Sequence, residues 1–328
     1  MKALILAGGL GTRLRPLTYS RPKHLLPIAN RPHVDHVFEL LARHGVHHVV
    51  LLTSYLAEAF AETIGRVAER GTSIELTHEA EPLGTAGALK NAESFVGDET
   101  FLAVNGDVLT DVDIATVVAF HRDRRAEATI LLTPVEDPSA FGVVPTDEEG
   151  RVLGFIEKPP PGEAPTDLIN AGVYVLEPSV LDRVPPGEVW SAERQLFPSL
   201  VAEGARVYAV AAPAYWMDIG TPEKYLQANL DALSGRYQTP LVAEPGPAAI
   251  LLDAGAKVAD GARVSSACLG AGAVVEEGAS VERSVLLPEA SVGEGAVVLD
   301  SVIGEGARIE AGARVSADAV ADGRVVTV

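Results

Sequence analysis

The chain has 328 residues, and its 26 lysines and arginines against 45 aspartates and glutamates give a formal net charge of −19. This balance argues against proteins that bind nucleic acid or anionic membranes, because both partners require clustered basic residues. The length allows about two domains, and a composition with 47% hydrophobic and 22% charged residues is typical of a globular chain.

The cysteine content and the lengths of the apolar runs indicate the cellular location of the protein. One cysteine, Cys268, is present, which excludes an intramolecular disulfide and argues against a cysteine-based zinc site. The apolar run at residues 2–6 is too short for the core of a signal peptide. No stretch reaches the roughly 18 uninterrupted apolar residues that a spanning helix needs. We therefore expect a cytoplasmic protein without a membrane anchor.

Short apolar runs alternate with amphipathic segments of helix length up to about Gly235. Four runs are predicted strands: KALIL at 2–6, VHHVVLLT at 46–53, TFLAVN at 100–105 and ATILLT at 128–133. Four segments are predicted helices: 34–43, 56–68, 86–94 and 114–124. This alternation is typical of an α/β domain with a mainly parallel sheet, whose ligands lie at the carboxyl ends of the strands.

The last part of the chain follows a different pattern, with aliphatic residues that recur every 17 positions. Three such series contain only Val, Leu or Ile: Val258, Val275, Val292, Ile309 and Val326; Val264, Val281, Val298 and Val315; and Leu269, Leu286, Ile303 and Val320. Gly-Ala recurs in phase at 261, 278, 295 and 312. The repeat predicts a parallel β-helix with three short strands per coil over 251–328, preceded by a proline-rich linker at 236–250 and a first domain over 1–235.

A glycine-rich segment, GGLGTRLRP at 8–16, directly follows the first predicted strand. It matches neither the P-loop nor the complete G-x-G-x-x-G pattern, because Leu14 stands where the third glycine would be. Residues 1–31 also contain six basic residues and no acidic one, namely Lys2, Arg13, Arg15, Arg21, Lys23 and Arg31. Backbone N–H groups in a glycine turn together with nearby guanidinium and ammonium groups are typical of a polyphosphate site.

Two carboxylates end strand-like segments elsewhere in the first domain. Asp107 follows FLAVNG at 101–106, and Asp218 follows YWM at 215–217. Mg²⁺ accepts one or two carboxylates together with substrate phosphates, so the pair is a candidate magnesium site. Lys158 and Asn170 also adjoin predicted strands, although neither would stand out alone.

These motifs together resemble the sugar-1-phosphate nucleotidyltransferases. The matching segments, in order, are LAGGLGTRLRPLT at 6–18 with RPK at 21–23, NGDV at 105–108, FGVV at 141–144, EKP at 157–159, NAGVY at 170–174 and WMDIGTPEKY at 216–225. EPLGTAGAL at 81–89 resembles the nucleobase segment of the mannose-1-phosphate guanylyltransferases within that family. The resemblance implies a Rossmann-like nucleotidyltransferase domain followed by a left-handed β-helix.

The resemblance also implies roles for individual residues. The nucleotide is expected on a set that comprises Leu6, Ala7, Gly8, Gly9, Gly11, Thr12, Arg13, Lys23, Pro82, Gly84, Thr85 and Asp107. The sugar phosphate is expected on Gly142, Glu157, Lys158, Asn170 and Gly172, with Lys158 on its phosphate. Mg²⁺ is expected on Asp107 and Asp218, and the catalytic set is Arg13, Lys23, Asp107, Lys158 and Asp218. His24 departs from the family pattern, which usually has proline after RPK, so the loop can follow a different path there.

The implied reaction is an in-line attack of a sugar-phosphate oxygen on the α-phosphorus of a nucleoside triphosphate, with release of pyrophosphate. GTP and mannose 1-phosphate are the expected substrates. Transfer of a thymidylyl or uridylyl group to glucose 1-phosphate, or transfer to a related cyclitol phosphate, remains open. No Ser/His/Asp or Cys/His arrangement is present, and this chemistry needs none.

Two other classes of function compete with this one. β-Helices of this kind often bind acetyl-coenzyme A, but acetyltransferases generally use a histidine base and no histidine follows His121. A non-catalytic subunit that binds nucleotide sugar would not need the basic and acidic residues retained here. We also expect the β-helix to mediate homo-oligomerisation, with a two-fold dimer as the favoured form.

Overall fold

The computed structural model describes residues 1–54, 56–79, 81–240 and 242–328, and these residues form two compact units. The first unit comprises Met1–Gly9, Val37–Val108 and Val112–Trp216. The second unit comprises Leu10–His36, Leu109–Asp111 and Met217–Val328. The division predicted at residues 235 and 250 stays a prediction, and Leu241 within the predicted linker lies outside the described residues.

The elements before residue 236 alternate much as the sequence predicts. The strands are β1 (Ala3–Leu6), β2 (Pro27–Ile28), β3 (Arg31–Pro32), β4 (His48–Thr53), β5 (Ser73–His78), β6 (Phe101–Asn105), β7 (Val108–Thr110), β8 (Ala128–Pro134), β9 (Gly142–Val143), β10 (Ile156–Glu157), β11 (Leu168–Leu176), β12 (Val207–Ala211) and β13 (Trp216–Asp218). The helices are α1 (His33–Arg43), α2 (Ala61–Ala68), α3 (Gly84–Asn91), α4 (Glu93–Val96), α5 (Ile114–Arg124), α6 (Phe197–Ala202) and α7 (Pro222–Ser234). Short 3₁₀ turns and a π turn at Ala192–Leu196 connect them.

Nine of the described strands form the central sheet of the first unit, in the order β10-β9-β11-β6-β1-β4-β5, with β8 added on β11 and β12 on β8. The pairings of β1, β4, β5 and β6 are all parallel, whereas β11 pairs antiparallel with β6, β8 and β9. Seven of these nine strands therefore run in one direction, and β10 and β11 run in the other. The α/β fold with a mainly parallel sheet is confirmed.

The four predicted strands and four predicted helices are confirmed with shifts of a few residues at their ends. Burial explains why the strands were visible in the sequence, since Ala3, Leu4 and Ile5 of β1 are fully buried. Strand β5 was not predicted. It lies at the edge of the sheet and most of its side chains are exposed, so it lacks a continuous apolar run.

The C-terminal part forms three parallel sheets, one for each side of a coil. The strands are β14 (Ile250–Leu252), β15 (Lys257–Val258), β16 (Arg263–Ser265), β17 (Ala267–Leu269), β18 (Val274–Val275), β19 (Ser280–Glu282), β20 (Val285–Leu286), β21 (Ser291–Val292), β22 (Val297–Leu299), β23 (Val302–Ile303), β24 (Arg308–Ile309), β25 (Arg314–Ser316), β26 (Ala319–Val320) and β27 (Val325–Val326). Each strand from β14 to β24 pairs with the strand three places on.

The register of these sheets follows the 17-residue repeat. Val258 pairs with Val275 and Val275 with Val292, which are successive members of one predicted series. Ten of the thirteen aliphatic residues in the three predicted series are buried in one continuous core. The other three, Val258, Val264 and Val326, are more exposed because they lie in the outer coils. The predicted parallel β-helix is confirmed.

The second unit also contains the signature segment, which we define as residues 10–36. The hydroxyl of Tyr225 on α7 donates to the carbonyl of Pro27 at 2.6 Å, and the N–H of Ala29 donates to Oδ1 of Asn229 at 2.8 Å. The signature segment is therefore packed on α7 and the β-helix within the second unit. Among the helices that the structure describes, none is long and apolar enough to cross a bilayer.

Candidate active site

The site residues expected from the sequence are distributed over both units. The first unit contains Leu6, Ala7, Gly8, Gly9, Pro82, Gly84, Thr85, Asp107, Gly142, Glu157, Lys158, Asn170 and Gly172. The second unit contains Gly11, Thr12, Arg13, Lys23 and Asp218.

A cavity of about 230 Å³ in the first unit brings together most of the expected nucleobase residues. Its lining comprises Leu6, Gly8, Gly9, Leu52, Ser54, Glu79, Pro82, Gly84, Thr85 and Ala88. The cavity lies at the carboxyl ends of three neighbouring parallel strands, because Leu6 ends β1, Ser54 follows β4 and Glu79 follows β5. This is the edge at which ligands bind in α/β sheets.

Two glycines of this cavity make close approaches, and one of them also has a left-handed backbone. Gly84 has a φ of +71°, and a Cβ there would lie 2.9 Å from the carbonyl oxygen of Trp190. At Gly8 a Cβ would lie 3.3 Å from Oγ of Ser54, which also accepts a hydrogen bond of 3.4 Å from the N–H of Gly9. A side chain at Gly84 would clash with the Trp190 backbone, and one at Gly8 would crowd Ser54.

Glu79 is a polar residue of this cavity that sequence reasoning missed. Its side chain is 6% exposed, and Oε1 has no hydrogen-bond partner among the described residues. Oε2 accepts a long bond of 3.5 Å from the N–H of Leu83. Burial raises the pKa of Glu79, and the Leu83 N–H opposes that shift only in part. A buried acceptor with an unused oxygen is a group that a ligand donor can satisfy.

A second cavity of the first unit, of about 300 Å³, contains three of the expected sugar residues. Its lining comprises Gly142, Val144, Phe155, Ile156, Glu157, Asn170, Glu193, Arg194 and Pro198. Oε1 of Glu157 accepts from Nη2 of Arg194 at 3.3 Å. A Cβ at Gly142 would lie 3.1 Å from Oε2 of Glu157, so glycine allows this close approach.

Lys158 and Gly172, the other two expected sugar residues, have special backbone conformations. Lys158 is exposed, has a φ of +50° and donates its N–H to the carbonyl of Phe141 at 2.9 Å. Gly172 has a φ of +73°, and a Cβ there would lie 2.8 Å from Nδ2 of Asn105 at the end of β6. The register of β11 against β8 also shifts between Asn170 and Tyr174. The glycine therefore permits β11 to bend against the strand that precedes Asp107.

A chain of hydrogen bonds connects the two cavities through Glu193, which the sequence analysis did not select. The hydroxyl of Thr85 in the first cavity donates to Oε2 of Glu193 at 2.9 Å, and the hydroxyl of Tyr174 donates to Oε1 at 3.2 Å. Nδ2 of Asn170 in the second cavity donates to the Tyr174 hydroxyl at 2.8 Å. Burial, and then the charge of Glu193, raises the pKa of Tyr174, so its hydroxyl stays a donor.

The part of the site in the second unit is centred on the start of the signature segment. Gly11 has a φ of +59°, and a Cβ there would lie 3.2 Å from Cβ of Lys23. The hydroxyl of Thr18 donates to the carbonyl of Gly11 at 2.8 Å. The guanidinium of Arg13 lies against Gly220, where a Cβ would be 3.0 Å from both terminal nitrogens. Gly220 therefore has a packing role that sequence reasoning missed, although it belongs to the matched WMDIGTPEKY segment.

Asp218 ends β13 in the second unit, where Oδ2 lies 3.5 Å from Nζ of Lys224. Its side chain is 20% exposed. In the first unit Asp107 follows β6, and its charge is a minor contributor to the raised pKa of Tyr174, after burial and Glu193. Carboxylate oxygens are the donors that Mg²⁺ prefers, so the chemistry of both residues fits this metal. Within the described ranges, no group of three or more His, Cys, Asp or Glu side chains forms a metal cluster.

Two of the six basic residues near the N-terminus have partners outside the expected phosphate site. Nζ of Lys2 donates to the carbonyl of Phe95 at 2.5 Å. Arg21 forms ion pairs with Glu305 and Asp322 of the β-helix. The excess of basic residues in 1–31 is therefore explained only in part by the expected phosphate binding. His24, the departure from the family pattern, is buried with 1% exposure in a 3₁₀ turn over Lys23–Leu25.

Two family models together match most of the chain. The nucleotidyl transferase family model matches residues 2–235, and the model of the GMPPB C-terminal domain matches residues 247–328. The chain is 44% identical over 239 residues to a mannose-1-phosphate guanylyltransferase of Mycobacterium tuberculosis (strain ATCC 25618 / H37Rv), a match that covers 73% of this chain and 66% of the relative.

Two further relatives extend the similarity. The catalytic subunit beta of mannose-1-phosphate guanylyltransferase from Drosophila pseudoobscura pseudoobscura is 41% identical over 270 residues, which cover 80% of this chain and 72% of the relative. The crystal structure of HddC from Yersinia pseudotuberculosis complexed with GMP-PN matches with a TM-score of 0.60 and 30% identity, over 70% of this chain and 97% of that chain. By sequence and by fold, the chain belongs to the nucleotidyl transferase family.

Proposed function

We propose that the protein transfers the guanylyl group of GTP to mannose 1-phosphate, which forms GDP-mannose and releases pyrophosphate. The observation that carries this proposal is the pair of cavities in the first unit joined by the Thr85–Glu193–Tyr174–Asn170 hydrogen bonds. A two-substrate transfer needs two adjacent binding sites held in a fixed relation. The names of the relatives from Mycobacterium tuberculosis and Drosophila support the choice of substrates.

Glu79 is the residue of the first cavity that can distinguish one nucleobase from another. Guanine presents two adjacent donors on one edge, its N1–H and its exocyclic amino group, and a carboxylate is an acceptor with two oxygens. Thymine and uracil present a single ring N–H between two carbonyl acceptors, which would face the carboxylate unfavourably. A buried Glu79 with one oxygen lacking a partner among the described residues therefore favours guanine. Pro82, Gly84 and Thr85 would border the base.

Phosphate binding is assigned to the glycine-rich segment and to the basic residues of the catalytic set. Gly8, Gly9, Gly11 and Thr12 would approach the triphosphate with their backbone, while Arg13 and Lys23 would neutralise the departing pyrophosphate. The guanidinium of Arg13 lies against Gly220, where a side chain would displace it. Leu6 and Ala7 would lie beside the nucleotide at the end of β1.

The sugar phosphate is assigned to the second cavity, with Glu157 and Asn170 as polar groups toward the sugar hydroxyls. Gly142 and Gly172 would leave room for the ring. Lys158 would hold the phosphate, whose oxygen forms a bond to the α-phosphorus while the bond between that phosphorus and pyrophosphate breaks. The backbone of Lys158 is left-handed and is held by the hydrogen bond from its N–H to the Phe141 carbonyl. This fixed backbone supports a binding role for the exposed lysine.

Mg²⁺ is the proposed cofactor, with Asp107 and Asp218 as its protein ligands. When bound, it supplies charge neutralisation for the phosphates during transfer. Lys224 lies next to this site, with its Nζ 3.5 Å from Oδ2 of Asp218. A cytoplasmic location remains a proposal that rests on the single cysteine.

A panel of GTP, ATP, UTP and dTTP against mannose 1-phosphate, glucose 1-phosphate and an inositol phosphate tests the proposal by the rate of pyrophosphate release. We expect the highest kcat/KM for GTP with mannose 1-phosphate. A higher value for dTTP or UTP with glucose 1-phosphate would overturn the substrate assignment. Release from no pair at millimolar Mg²⁺ would favour a non-catalytic subunit.

Self-association through the β-helix is part of the proposal. Its outer coils expose apolar side chains, with Ile250 at 45%, Leu252 at 50% and Val325 at 47% exposure. Exposed aliphatic residues beside strand edges are typical of surfaces that pair with a second copy. Light scattering that shows a monomer at micromolar concentration would overturn this part.

A further inference from the structure

Arg21 connects the signature segment to the β-helix. Its Nη2 donates to Oε2 of Glu305 and, at 3.2 Å, to Oδ2 of Asp322, and the hydroxyl of Ser20 donates to the same Asp322 oxygen. The Arg21 side chain is 17% exposed and that of Asp322 is 23% exposed. Asp322 in turn accepts a bond of 2.7 Å from the N–H of Glu305 through its other oxygen. Glu305 is 48% exposed, so the cluster combines a largely buried arginine and aspartate with one carboxylate that faces solvent.

The two carboxylates occupy one repeating position of the β-helix. Residues 254, 271, 288, 305 and 322 are spaced 17 apart, and each begins the two-residue turn at the same corner of its coil. The position is Ala254, Ala271 and Pro288 in the earlier coils and becomes Glu305 and Asp322 in the last two. The turn itself therefore does not need an acid. The acids occur where the corner meets Arg21.

A second anchor holds the other end of the signature segment on the earlier coils. Nδ2 of Asn30 donates to the carbonyl of Leu251 at 3.1 Å and to that of Leu269 at 2.9 Å. Asn30 itself has a left-handed backbone with a φ of +59°. Lys23 lies between the two anchors, two residues from Arg21, and its Cβ faces Gly11.

We propose that the cluster of Arg21 with Glu305 and Asp322 is a tether through which the β-helix positions Lys23 for the phosphates of the nucleotide. Arg21 is then a positioning residue, and the β-helix contributes to catalysis without contacting substrate. The inference rests on the proposed function for the role of Lys23. It differs from the expectation that the β-helix serves only for self-association.

The charge balance shows why the cluster is sensitive to substitution. One guanidinium between two carboxylates is a charge-assisted arrangement that fixes the direction of the arginine side chain. Removal of both carboxylate charges would leave a guanidinium with 17% exposure and no ionic partner in the cluster. The segment would then relax, and a displacement of about 1 Å of a binding group can cost up to about 100-fold in rate.

The test uses the full-length double variant Glu305→Gln with Asp322→Asn, because both changes keep the side-chain shape. The matched control is Glu277→Gln with Glu310→Gln, which removes two charges from exposed positions of the same β-helix. Kinetics are measured in the reverse direction, with GDP-mannose and pyrophosphate. We expect the KM for pyrophosphate to rise about tenfold in the double variant while the KM for GDP-mannose changes less than about twofold. The control should match the wild type.

Hydrogen exchange of the same proteins gives a readout that does not depend on turnover. Peptides that cover residues 15–26 should exchange faster in the double variant, while peptides of the β-helix core should not. Unchanged exchange in residues 15–26 would overturn the tether. Faster exchange with an unchanged KM for pyrophosphate would overturn the positioning of Lys23. A wild type inactive on every substrate pair would refute the proposed function, and exchange alone would then decide whether the tether exists.

Discussion

The substitution Glu79→Gln separates base recognition from the rest of the reaction. Glu79 lies in the cavity at the ends of β1, β4 and β5, is 6% exposed, and has an oxygen without a hydrogen-bond partner among the described residues. Glutamine has nearly the same shape but only one acceptor, and its amino group is a donor. Against the two adjacent donors of guanine, the variant loses one hydrogen bond and brings two donors together.

The size of the effect follows from these two changes. A hydrogen bond to a charged group contributes about 1.5–3 kcal/mol, and a buried donor left without a partner costs about 1–3 kcal/mol. A loss of about 3 kcal/mol corresponds to about a 100-fold decrease in kcat/KM for GTP, because each 1.4 kcal/mol is a factor of ten. The Leu83 N–H can still donate to the amide oxygen, so the loop should keep its path.

The assay compares kcat/KM for GTP with that for UTP and dTTP in the wild type, in Glu79→Gln and in the control Glu81→Gln. Glu81 is exposed and lies two residues further on, so its substitution should leave the ratios unchanged. A Glu79→Gln variant that retains the wild-type preference for GTP would refute the argument from the buried carboxylate.

The same substitution should lower activity with GTP but maintain or raise the stability of the folded protein. Burial raises the pKa of Glu79 on folding, so the folded state binds its proton more tightly than the unfolded state does. The free energy of unfolding therefore falls as pH rises from the unfolded pKa through the folded pKa. Glutamine has no ionised form and avoids the cost of burying a charge. We therefore expect Glu79→Gln to have a Tm at pH 8 equal to or above that of the wild type. A clear decrease in Tm would show that the carboxylate stabilises the folded protein.

Three further predictions concern the metal, the sugar phosphate and pH. Asp107→Asn and Asp218→Asn should each lower kcat by at least about 100-fold, since a lost metal ligand removes several kcal/mol of charge stabilisation; near-wild-type turnover at saturating Mg²⁺ would remove that residue from the metal site. Lys158→Ala should raise the KM for mannose 1-phosphate far more than that for GTP. Equal increases in the two KM values would show that Lys158 does not bind the sugar phosphate specifically. Burial lowers the pKa of His36 to about 3, although its hydrogen bond to the Ile28 carbonyl opposes the shift. Its contribution to stability is therefore complete above pH 6.5 and is lost as pH falls toward 3, with a slope of up to about 1.4 kcal/mol per pH unit in urea unfolding that His36→Gln should reduce.

The fold could be predicted from the sequence where burial imposes a period. The 17-residue series predicted the register of the β-helix because each coil must place an aliphatic residue inward on the same side. The buried strands β1, β6 and β8 were visible as continuous apolar runs. Strand β5 was missed because an edge strand with exposed side chains has no such constraint.

The candidate site was predictable only where a residue belongs to a motif. Gly84 and Gly172 occur in matched segments, and the structure gives each a backbone reason. Glu193 was missed because its partners are distant in sequence: Thr85 and Tyr174 are 108 and 19 residues from it. Glu79 was missed because its place in a cavity depends on strands distant in sequence, which bring Leu6 and Leu52 into the same lining. No local pattern marks such residues, since the network exists only after folding.

The anchors of the signature segment change what a truncation after Gly235 should do. The shortened chain keeps every active-site residue proposed above, and the sequence alone predicts a loss of oligomerisation with the site intact. The structure shows that it would also remove both acceptors of Asn30 and both ionic partners of Arg21. We therefore expect kcat to fall at least about tenfold even if the first unit stays folded, because the segment with Lys23 loses its support.

Dilution separates the two causes of that loss. Full-length protein diluted below the dissociation constant of its oligomer becomes monomeric but keeps the tether, since Arg21, Glu305 and Asp322 lie in one chain. If activity falls because the oligomer dissociates, specific activity should decrease on dilution and match that of the truncated chain. If it falls because the segment is released, the diluted full-length protein stays active while both the truncated chain and Glu305→Gln with Asp322→Asn are impaired. A truncated chain with the turnover of the full-length protein would show that the β-helix positions nothing in the reaction.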